Sequence, residues 1–248
     1  MSDPGTLYLI PTPLADTSLP DTLPQGTLSV IPRLRYFVVE ELRTARRFLS
    51  KVYRLEAGPS KAECKGGIDD LQLFVCNEHT DQKVLNGLLQ PLIEGHDMGL
   101  LSEAGLPAVA DPGAPLVAMA HQKGIKVAPL TGPSSLMLAL MASGLNGQSF
   151  AFAGYLPVPS QERKTKIKQL EKRAIQENQT QIFIETPYRN IALFNDMIEA
   201  CAPQTKLCIA ANLTAPDAFI ATKTTTQWRQ APPPPIHKVP AIFIIGTP

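Results

Sequence analysis

The chain has 248 residues, a formal net charge of +1, and 44% hydrophobic residues. This length suits one large domain or two domains of ordinary size, and this apolar content supports a packed core rather than a disordered chain. A nearly neutral charge excludes a global attraction to nucleic acid or to an anionic membrane, so only local basic patches could bind them. No apolar run approaches the roughly 20 residues that span a bilayer, and the N-terminus has no targeting pattern, so we expect a cytoplasmic protein.

Apolar runs and helical patterns alternate along the first half of the chain, which predicts an α/β domain. Short strands separated by helices predict a mostly parallel sheet with right-handed crossovers. Thr80 is expected to cap a helix that continues to about Ile93. The helix after the second strand is expected to bury a face with Leu42, Ala45, Leu49 and Val52. The predicted strands are residues 7–10, 36–39, 71–76, 98–101 and 125–128.

The second half of the chain is richer in strands. Three strands with little helix between them predict a mixed, partly antiparallel sheet, and we place the domain boundary after Thr131, which gives domains 1–131 and 132–248. The proline run at 232–235 cannot join a sheet ladder and predicts a stiff surface connection. The predicted strands are residues 150–153, 181–184, 207–211, 219–222 and 239–245, and the predicted helices are 160–176 and 187–200.

Three loops rich in proline and glycine follow predicted strands, at residues 11–14, 102–113 and 131–135. Ligands of open parallel sheets bind beyond the carboxyl ends of the strands. Each loop also has a structural explanation, since Asp111 could cap a helix with Pro112 in its first turn, and Thr131 or Gly132 could cap the helix that ends at Gly144. All three loops at one edge favour a binding site.

Several ligand classes lack their sequence signatures. Neither GxGxxG nor GxxxxGK[ST] is present, which disfavours pyrophosphate cofactors and nucleoside triphosphates. The histidines are scattered and no CxxC pair occurs, so no metal site is predicted. A small nucleoside-like ligand held by backbone groups remains compatible with these loops. Reduced and mostly buried thiols are expected for Cys64, Cys76, Cys201 and Cys208.

Six short segments resemble, in the same order, motifs of the tetrapyrrole methylase superfamily. The most specific is SEAGLPAVADPG at 102–113, which resembles S-D-A-G-x-P-x-x-x-D-P-G. Within the superfamily the chain is most similar to the branch that methylates a ribose 2′-hydroxyl of small-subunit ribosomal RNA. The other segments are LYLIPTPL at 7–14, EELRTARRFL at 40–49, TGPSS at 131–135, FAGYLP at 152–157 and FIETPYR at 183–189.

The resemblance implies two α/β domains with S-adenosylmethionine in the cleft between them, and a homodimer. It also implies methyl transfer as the activity, with RNA of the small ribosomal subunit as the expected acceptor. By the same resemblance, the cofactor contacts would come from Pro11, Ser102, Gly105, Pro107, Val109, Asp111, Ser134, Ser135, Tyr155, Leu213 and Pro240.

The chain departs from the family pattern in ways that concern the acceptor. Glu103 replaces an aspartate, and Ala211-Asn212-Leu213-Thr214-Ala215 stands where the ribosomal enzymes tend to have R-E-L-T-K. The cofactor motifs are retained while the acceptor side is altered, which is typical of a divergent paralogue with a different acceptor.

Carboxylates at predicted strand ends are the candidates for proton transfer or orientation of an acceptor. We consider Glu40, Glu41 and Glu185 catalytic candidates, with Glu103 as a further possibility; such acids are also common helix caps and ion-pair partners. The basic run at 163–173 is either a phosphate-binding surface or a solvated helix face. No aromatic residue interleaves with the basic residues, so stacking on unpaired bases has little support. The candidate contacts to the acceptor are Arg43, Arg46, Arg47 and Arg189.

Three functional hypotheses follow. The first is an RNA methyltransferase, and the second is the same fold acting on a small molecule such as a tetrapyrrole or on a protein side chain. The third is a catalytically inactive relative that binds RNA. We also predict that Pro107→Arg abolishes cofactor binding and leaves the protein folded.

Overall fold

The structure, a computed structural model, describes residues 3–56 and 67–247. The chain forms two compact units, the N-terminal unit Met1–Pro133 and the C-terminal unit Ser134–Pro248. The loop that joins β5 and α7, whose ranges are given below, contains both this division and the predicted boundary after Thr131.

The N-terminal unit is built around a five-stranded sheet of order β3-β2-β4-β1-β5, in which every recorded strand pair is parallel. This confirms the predicted parallel sheet. The four residues of β4 are all buried, as expected for the central strand. The elements are β1 Thr6–Ile10, α1 Leu19–Thr22, α2 Gln25–Leu28, β2 Tyr36–Val39, α3 Leu42–Glu56, β3 Gln72–Val75, α4 Gln82–Leu88, α5 Gln90–Ile93, β4 Met98–Leu101, α6 Ala114–Gln122 and β5 Lys126–Pro129.

Both faces of this sheet are covered, because successive strand residues point to opposite sides. Phe37 packs in the cluster that contains Leu49 of α3, whereas its neighbour Val38 packs in the cluster that contains Leu116 of α6. This two-sided burial explains why the strands are continuous apolar runs rather than alternating ones.

Helix α3 buries three of the four predicted residues, namely Ala45, Leu49 and Val52. The prediction is wrong for Leu42, which is 41% exposed. Leu42 occupies the first turn, directly after the end of β2, where the sheet ends and no longer covers the helix.

The predicted helix from Thr80 to Ile93 is wrong in two respects. The Thr80 hydroxyl accepts a hydrogen bond from the backbone N–H of Asn77 at 2.8 Å, so it closes a turn before the helix. The helix is also broken into α4 and α5 by one intervening residue, because Pro91 has no N–H to continue an earlier helix and instead lies in the first turn of α5.

The C-terminal unit contains a five-stranded sheet of order β6-β7-β10-β8-β9. The β6–β7 pair is parallel and the other pairs are antiparallel, which confirms the predicted mixed sheet. The proline run lies in the connection before the last strand, outside the sheet. The elements are α7 Ser135–Ser143, β6 Phe150–Tyr155, α8 Ser160–Gln176, β7 Thr180–Ile184, α9 Asn190–Ala200, β8 Lys206–Ala211, β9 Phe219–Thr224, α10 Thr225–Gln230 and β10 Ala241–Gly246.

Helix ends in this unit differ from the sequence predictions. The cap of α7 is Ser134, whose hydroxyl accepts from the N–H of Met137 at 3.4 Å, rather than Thr131 or Gly132. Gly144 ends α7 with φ +68°, as expected for a residue that adopts the left-handed conformation without strain. The predicted helix at 187–200 begins with a 3-10 turn, Pro187–Arg189, and α10 was not predicted because it is only six residues long.

The basic run on α8 is not entirely solvated, because its first arginine is buried. The Arg163 side chain is 5% exposed, and its guanidinium contacts Asp196 of α9 at 2.6 Å through both Nε and Nη2. Lys164 is paired with Glu199 at 2.6 Å. Both pairs therefore hold α8 against α9, and the buried Arg163 is not exposed to a nucleic acid.

The cysteines follow the expected pattern where they are described. Cys76, Cys201 and Cys208 are free and buried, and burial raises the pKa of Cys201 to about 12. Cys64 lies outside the described residues. Within residues 3–56 and 67–247, no helix has the length and apolar character needed to cross a membrane, and no group of three His, Cys, Asp or Glu side chains is arranged to hold a metal ion.

Candidate functional site

Three loops meet at the carboxyl edge of the parallel sheet in the N-terminal unit. The loops after β1 and β4 are joined by two backbone hydrogen bonds between Thr12 and Gly105, of 2.9 and 3.0 Å. The loop after β5 touches the first of them, because a Cβ atom on Gly132 would lie 2.3 Å from Cβ of Pro11. The predicted ligand loops are therefore packed on one another.

Ser102 and Gly105 determine the shape of the loop after β4. Ser102 is buried, and its hydroxyl donates to the carbonyl of Gly105 at 3.0 Å, while the Thr12 hydroxyl donates to the carbonyl of Ser102 at 3.3 Å. Gly105 has φ +82°, and a Cβ there would lie 3.0 Å from Leu14. Glycine is needed here for its backbone conformation and for space.

The next part of this loop is strained and held by a carboxylate. Ala108 and Ala110 have φ values of +64° and +55°, a conformation that costs a non-glycine residue about 1–2 kcal/mol. Asp111 Oδ1 accepts from the N–H groups of Ala108 and Gly113, at 3.2 and 2.9 Å. The alternative in which Asp111 caps a helix is wrong, since Gly113 precedes α6. Between the two alanines, Val109 is 44% exposed.

Carboxyl groups collect beside this loop. Glu40, at the end of β2, is half-buried, and its pKa is raised by burial and further by the charges of Asp111, Glu103 and Glu78. Burial likewise raises the pKa of Asp111, against the opposing effect of its two backbone hydrogen bonds. The structure thus places Asp111 close enough to Glu40 for its charge to raise the pKa of Glu40.

Glu41 has a structural role that the sequence left open. Its carboxylate accepts from the N–H groups of Arg43 and Thr44, at 2.9 and 2.7 Å, and so caps α3. These backbone hydrogen bonds lower the pKa of Glu41. A carboxylate that is exposed, ionised and engaged by a helix terminus is a poor proton acceptor for chemistry.

A cavity of about 130 Å³ lies between α3 and the loops after β1 and β4. Arg47 is the one arginine in its lining, so the three arginines proposed from α3 are not equivalent. Sequence reasoning did not connect Lys51 or Asp16 with this place, because neither belongs to a recognisable motif. The lining residues are Thr12, Pro13, Ala15, Asp16, Thr17, Leu19, Thr44, Ala45, Arg47, Phe48, Lys51, Leu101, Ser102 and Glu103.

The C-terminal unit presents its remaining candidate residues along one edge of the mixed sheet. β6, β7 and β8 run in one direction and β10 runs in the other, so the ends of the first three and the start of β10 share an edge. Tyr155 is 56% exposed there, and the loop containing Leu213 is tied to Pro240 by a 3.0 Å bond from the N–H of Asn212 to the Pro240 carbonyl. Ser134 and Ser135 lie at the start of α7.

The loop around Leu213 repeats the backbone pattern seen around Val109. Asn212 and Thr214 have φ values of +49° and +71°, so in each unit two left-handed residues flank one predicted cofactor contact. The Thr214 hydroxyl is buried and has no hydrogen-bond partner among the residues that the structure describes. Strained backbone of this kind concentrates at functional sites, where the surrounding structure maintains it.

Glu185 is engaged with Arg189 rather than free. Its Oε1 atom accepts from Arg189 Nη2 and from the N–H of Thr186, both at 2.6 Å, and this hydrogen bond is the main reason that the pKa of Arg189 is raised. Within residues 3–56 and 67–247, the buried Oε2 of Glu185 and Nε of Arg189 have no hydrogen-bond partner. These two atoms remain available for further hydrogen bonds, but the main role of Glu185 is to orient Arg189.

Sequence reasoning missed an aromatic and basic contact beside this pair. Tyr188 is 78% exposed, and the ammonium of Lys238 lies 5.8 Å from its ring centroid. The N–H of Lys238 donates to the carbonyl of Pro187 at 3.3 Å, which keeps the two segments together. The two residues are far apart in sequence, so a search for interleaved aromatic and basic residues could not find them.

Curated relatives share the sequence over most of the chain, although no protein-family model matches it. Ribosomal RNA small subunit methyltransferase I of Vibrio cholerae is 31% identical over 208 residues, which cover 84% of this chain and 65% of that protein. The protein of the same name from Escherichia coli O157:H7 is 30% identical over 210 residues, covering 85% and 66%. The chain is therefore similar to this methyltransferase over most of its own length. It spans slightly less than two thirds of the length of these two relatives.

Solved structures with tetrapyrrole methylase names share the fold. The methyltransferase CobJ superposes with a TM-score of 0.61 at 16% identity, covering 100% of both chains. Uroporphyrin-III-C-methyltransferase from Thermus thermophilus gives a TM-score of 0.53 at 20% identity, covering 98% of this chain and 92% of that one. At these identities the likeness concerns the fold, which is the predicted α/β class with one parallel and one mixed sheet.

Proposed function

We propose that this protein is a tetrapyrrole methylase that transfers a methyl group from S-adenosylmethionine to RNA, with a ribose 2′-hydroxyl of small-subunit ribosomal RNA as the acceptor. The observation that carries the proposal is the packed set of family loops after β1, β4 and β5, with the strained segment around Val109 exposed among them. Two curated relatives named for ribosomal RNA methylation support the choice of acceptor. Such an enzyme would work in the cytoplasm, where ribosomal subunits are made.

The residues present fit such a cofactor. When bound, S-adenosylmethionine would supply a methyl group on a positively charged sulfur, and the carboxyl groups of Asp111 and Glu40 provide negative charge near the loops. The backbone around Val109 and the unpartnered hydroxyl of Thr214 offer polar contacts. We propose that Pro11, Ser102, Gly105, Pro107, Val109 and Asp111 of the N-terminal unit take part, with Ser134, Ser135, Tyr155, Leu213 and Pro240 of the C-terminal unit.

Glu40 is the best candidate for a general base. Methyl transfer to a hydroxyl requires alignment of the acceptor and removal of its proton. Among the described residues Glu40 has no hydrogen bond, whereas Glu41 caps α3 and Glu185 holds Arg189. Burial raises the pKa of Glu40, which strengthens it as a proton acceptor once it is ionised.

Exposed basic and aromatic groups in the C-terminal unit support an RNA acceptor. Tyr188 and Lys238 combine a ring that could stack on an unpaired base with a cation that could contact its phosphate. Arg189 is oriented by Glu185 on the same turn. A small tetrapyrrole or a protein side chain would not require this arrangement.

The direct test is transfer of a tritiated methyl group from S-adenosylmethionine to undermethylated small ribosomal subunits, with tetrapyrroles and protein pools as parallel acceptors. We expect label in the RNA, at a ribose. Glu40→Gln should bind the cofactor normally in a calorimetric titration but transfer methyl groups at least about 100-fold more slowly, as expected for a lost general base. For the native protein, the rate should fall as the pH drops through the raised pKa of Glu40, because the carboxylate becomes protonated.

The other outcomes are equally informative. Label in a tetrapyrrole or a protein would assign the acceptor to the second hypothesis, and no cofactor binding at high micromolar concentration would indicate an inactive relative. A Glu40→Gln enzyme with unchanged turnover would remove Glu40 from the mechanism without affecting the proposed reaction.

We also propose that the protein is a homodimer with α7 at the interface. Met137 and Met141 lie one turn apart on the same face of α7 and are 43% and 78% exposed. Light scattering should show a dimer for the native chain and a monomer for Met141→Glu, because a carboxylate would have to be buried on association. Ile175→Glu, at an exposed position of α8, should leave the dimer intact. A native monomer, or a dimeric Met141→Glu variant, would contradict this interface.

A further inference from the structure

The cavity beside α3 has the size of a single ring. Its volume is about 130 Å³, and a protein cavity of about 150 Å³ accommodates benzene. A ribose ring or a phosphate group would fit this volume. The walls include the apolar residues Phe48 and Leu101, and Thr44 of α3 contacts Glu103 in the same lining.

One wall carries a fixed carboxylate. Thr44 donates its hydroxyl hydrogen to Glu103 Oε1 at 2.6 Å, which orients the carboxylate from α3. No other hydrogen bond to Glu103 is found among the described residues, so its second oxygen remains available as an acceptor. A carboxylate oxygen in a ring-sized cavity is suited to accept from a sugar hydroxyl.

Arg47 supplies the opposite charge. Lys51 is paired with Asp16 at 2.5 Å, which satisfies the other cation and the other anion of the cavity. Arg47 has no ion pair within 4 Å in the described part of the chain, although its charge is close enough to Asp16 to lower the pKa of that carboxyl group. An unpaired guanidinium at a cavity wall matches the geometry and charge of a phosphate group.

We infer that this cavity binds one ribose of a single-stranded RNA together with its attached phosphate, with Arg47 on the phosphate and Glu103 accepting from the 2′-hydroxyl. The inference rests on the proposed RNA methyltransferase function and deepens it. It assigns separate tasks to the two residues, since Arg47 contributes affinity for any strand and Glu103 contributes the preference for RNA over DNA. The departure of Glu103 from the family aspartate then bears on acceptor recognition.

The test is binding of fluorescently labelled oligouridylate and of oligodeoxyuridylate of the same length, measured by anisotropy at several salt concentrations. The native protein should prefer the ribose strand. Arg47→Gln should weaken binding of both strands about tenfold and reduce the salt slope by about one unit. Glu103→Ala should lower affinity for the ribose strand alone and so abolish the preference. Arg54→Gln is the matched control, because Arg54 is exposed on the same helix but outside the cavity, and it should change binding less than about twofold.

Equal effects of Arg47→Gln and Arg54→Gln, or an unchanged RNA preference in Glu103→Ala, would overturn the inference. Cofactor titration and the methyl-transfer assay on the native protein separate this failure from failure of the proposed function. If the native protein transfers methyl groups to RNA while the cavity variants bind like the control, only the assignment of the cavity is wrong. Thermal unfolding of each variant checks that the exposed substitutions leave the fold intact.

Discussion

Val109→Arg is expected to weaken binding of S-adenosylmethionine at least about 100-fold, equivalent to about 2.7 kcal/mol. Val109 projects from the strained segment that Asp111 fixes, so a long cation there would occupy the proposed site and repel a sulfonium. Because Val109 is 44% exposed, the substitution should change the free energy of unfolding by less than about 0.5 kcal/mol. Calorimetric titration measures the first effect, and chemical denaturation measures the second.

Val84→Arg is the control for this experiment. Val84 is 52% exposed on α4, and arginine there should leave cofactor binding unchanged.

Val109 also replaces Pro107 as the position to test. Pro107 is buried, so an arginine there would have to be buried or displace the loop. This burial argues against the expectation that Pro107→Arg leaves the protein folded. Normal titration of Val109→Arg would show that the segment lies outside the site.

Asp196→Ala should destabilise the C-terminal unit by about 3–5 kcal/mol, the cost of leaving a buried charge without its partner. The Asp196 side chain is 10% exposed and receives both a bidentate contact from Arg163 and a 2.9 Å hydrogen bond from the Ser160 hydroxyl. Removal of the carboxylate leaves the Arg163 guanidinium in the same buried place with only the carbonyls of Pro157 and Val158. Urea unfolding measures the loss.

Trp228 provides a local probe for this measurement. It is the one tryptophan of the chain, it is 2% exposed, and its indole N–H donates to the carbonyl of Leu207, so its fluorescence reports on the C-terminal unit. Glu177→Ala is the matched control, because its ion pair with Arg173 is 55% exposed on both sides and should contribute less than about 0.5 kcal/mol. A similar, small effect of both substitutions would mean that the Arg163–Asp196 pair does not hold α8 to α9.

The sequence predicted helices and strands well where neighbouring residues alone determine them. The bounds of β2, β4 and α8 agree with the predictions, because a buried strand is an apolar run and a long helix has a clear start and end. The region after Thr80 was predicted poorly, since the effect of Pro91 on an otherwise helical pattern depends on whether a helix continues past it or begins there.

The sequence predicted those parts of the candidate site that lie in continuous loops. Ser102, Gly105 and Asp111 were found from one motif, and the structure brings their loop against those of Thr12 and Gly132. The partners of Lys51, Arg163 and Lys164 were not predictable, because each partner comes from a distant part of the chain.

The sequence by itself thus determined the α/β class, the parallel and mixed sheets and the resemblance to methyltransferases, all of which depend on apolar periodicity and on short contiguous motifs. Only the tertiary structure decided which charges are available. Arg163 is paired with Asp196 and Glu41 caps its own helix, whereas Arg189 is oriented by Glu185 and Arg47 faces a cavity. The physical reason is that the availability of a charge depends on burial and on partners in space, and these arise only when separate elements pack together.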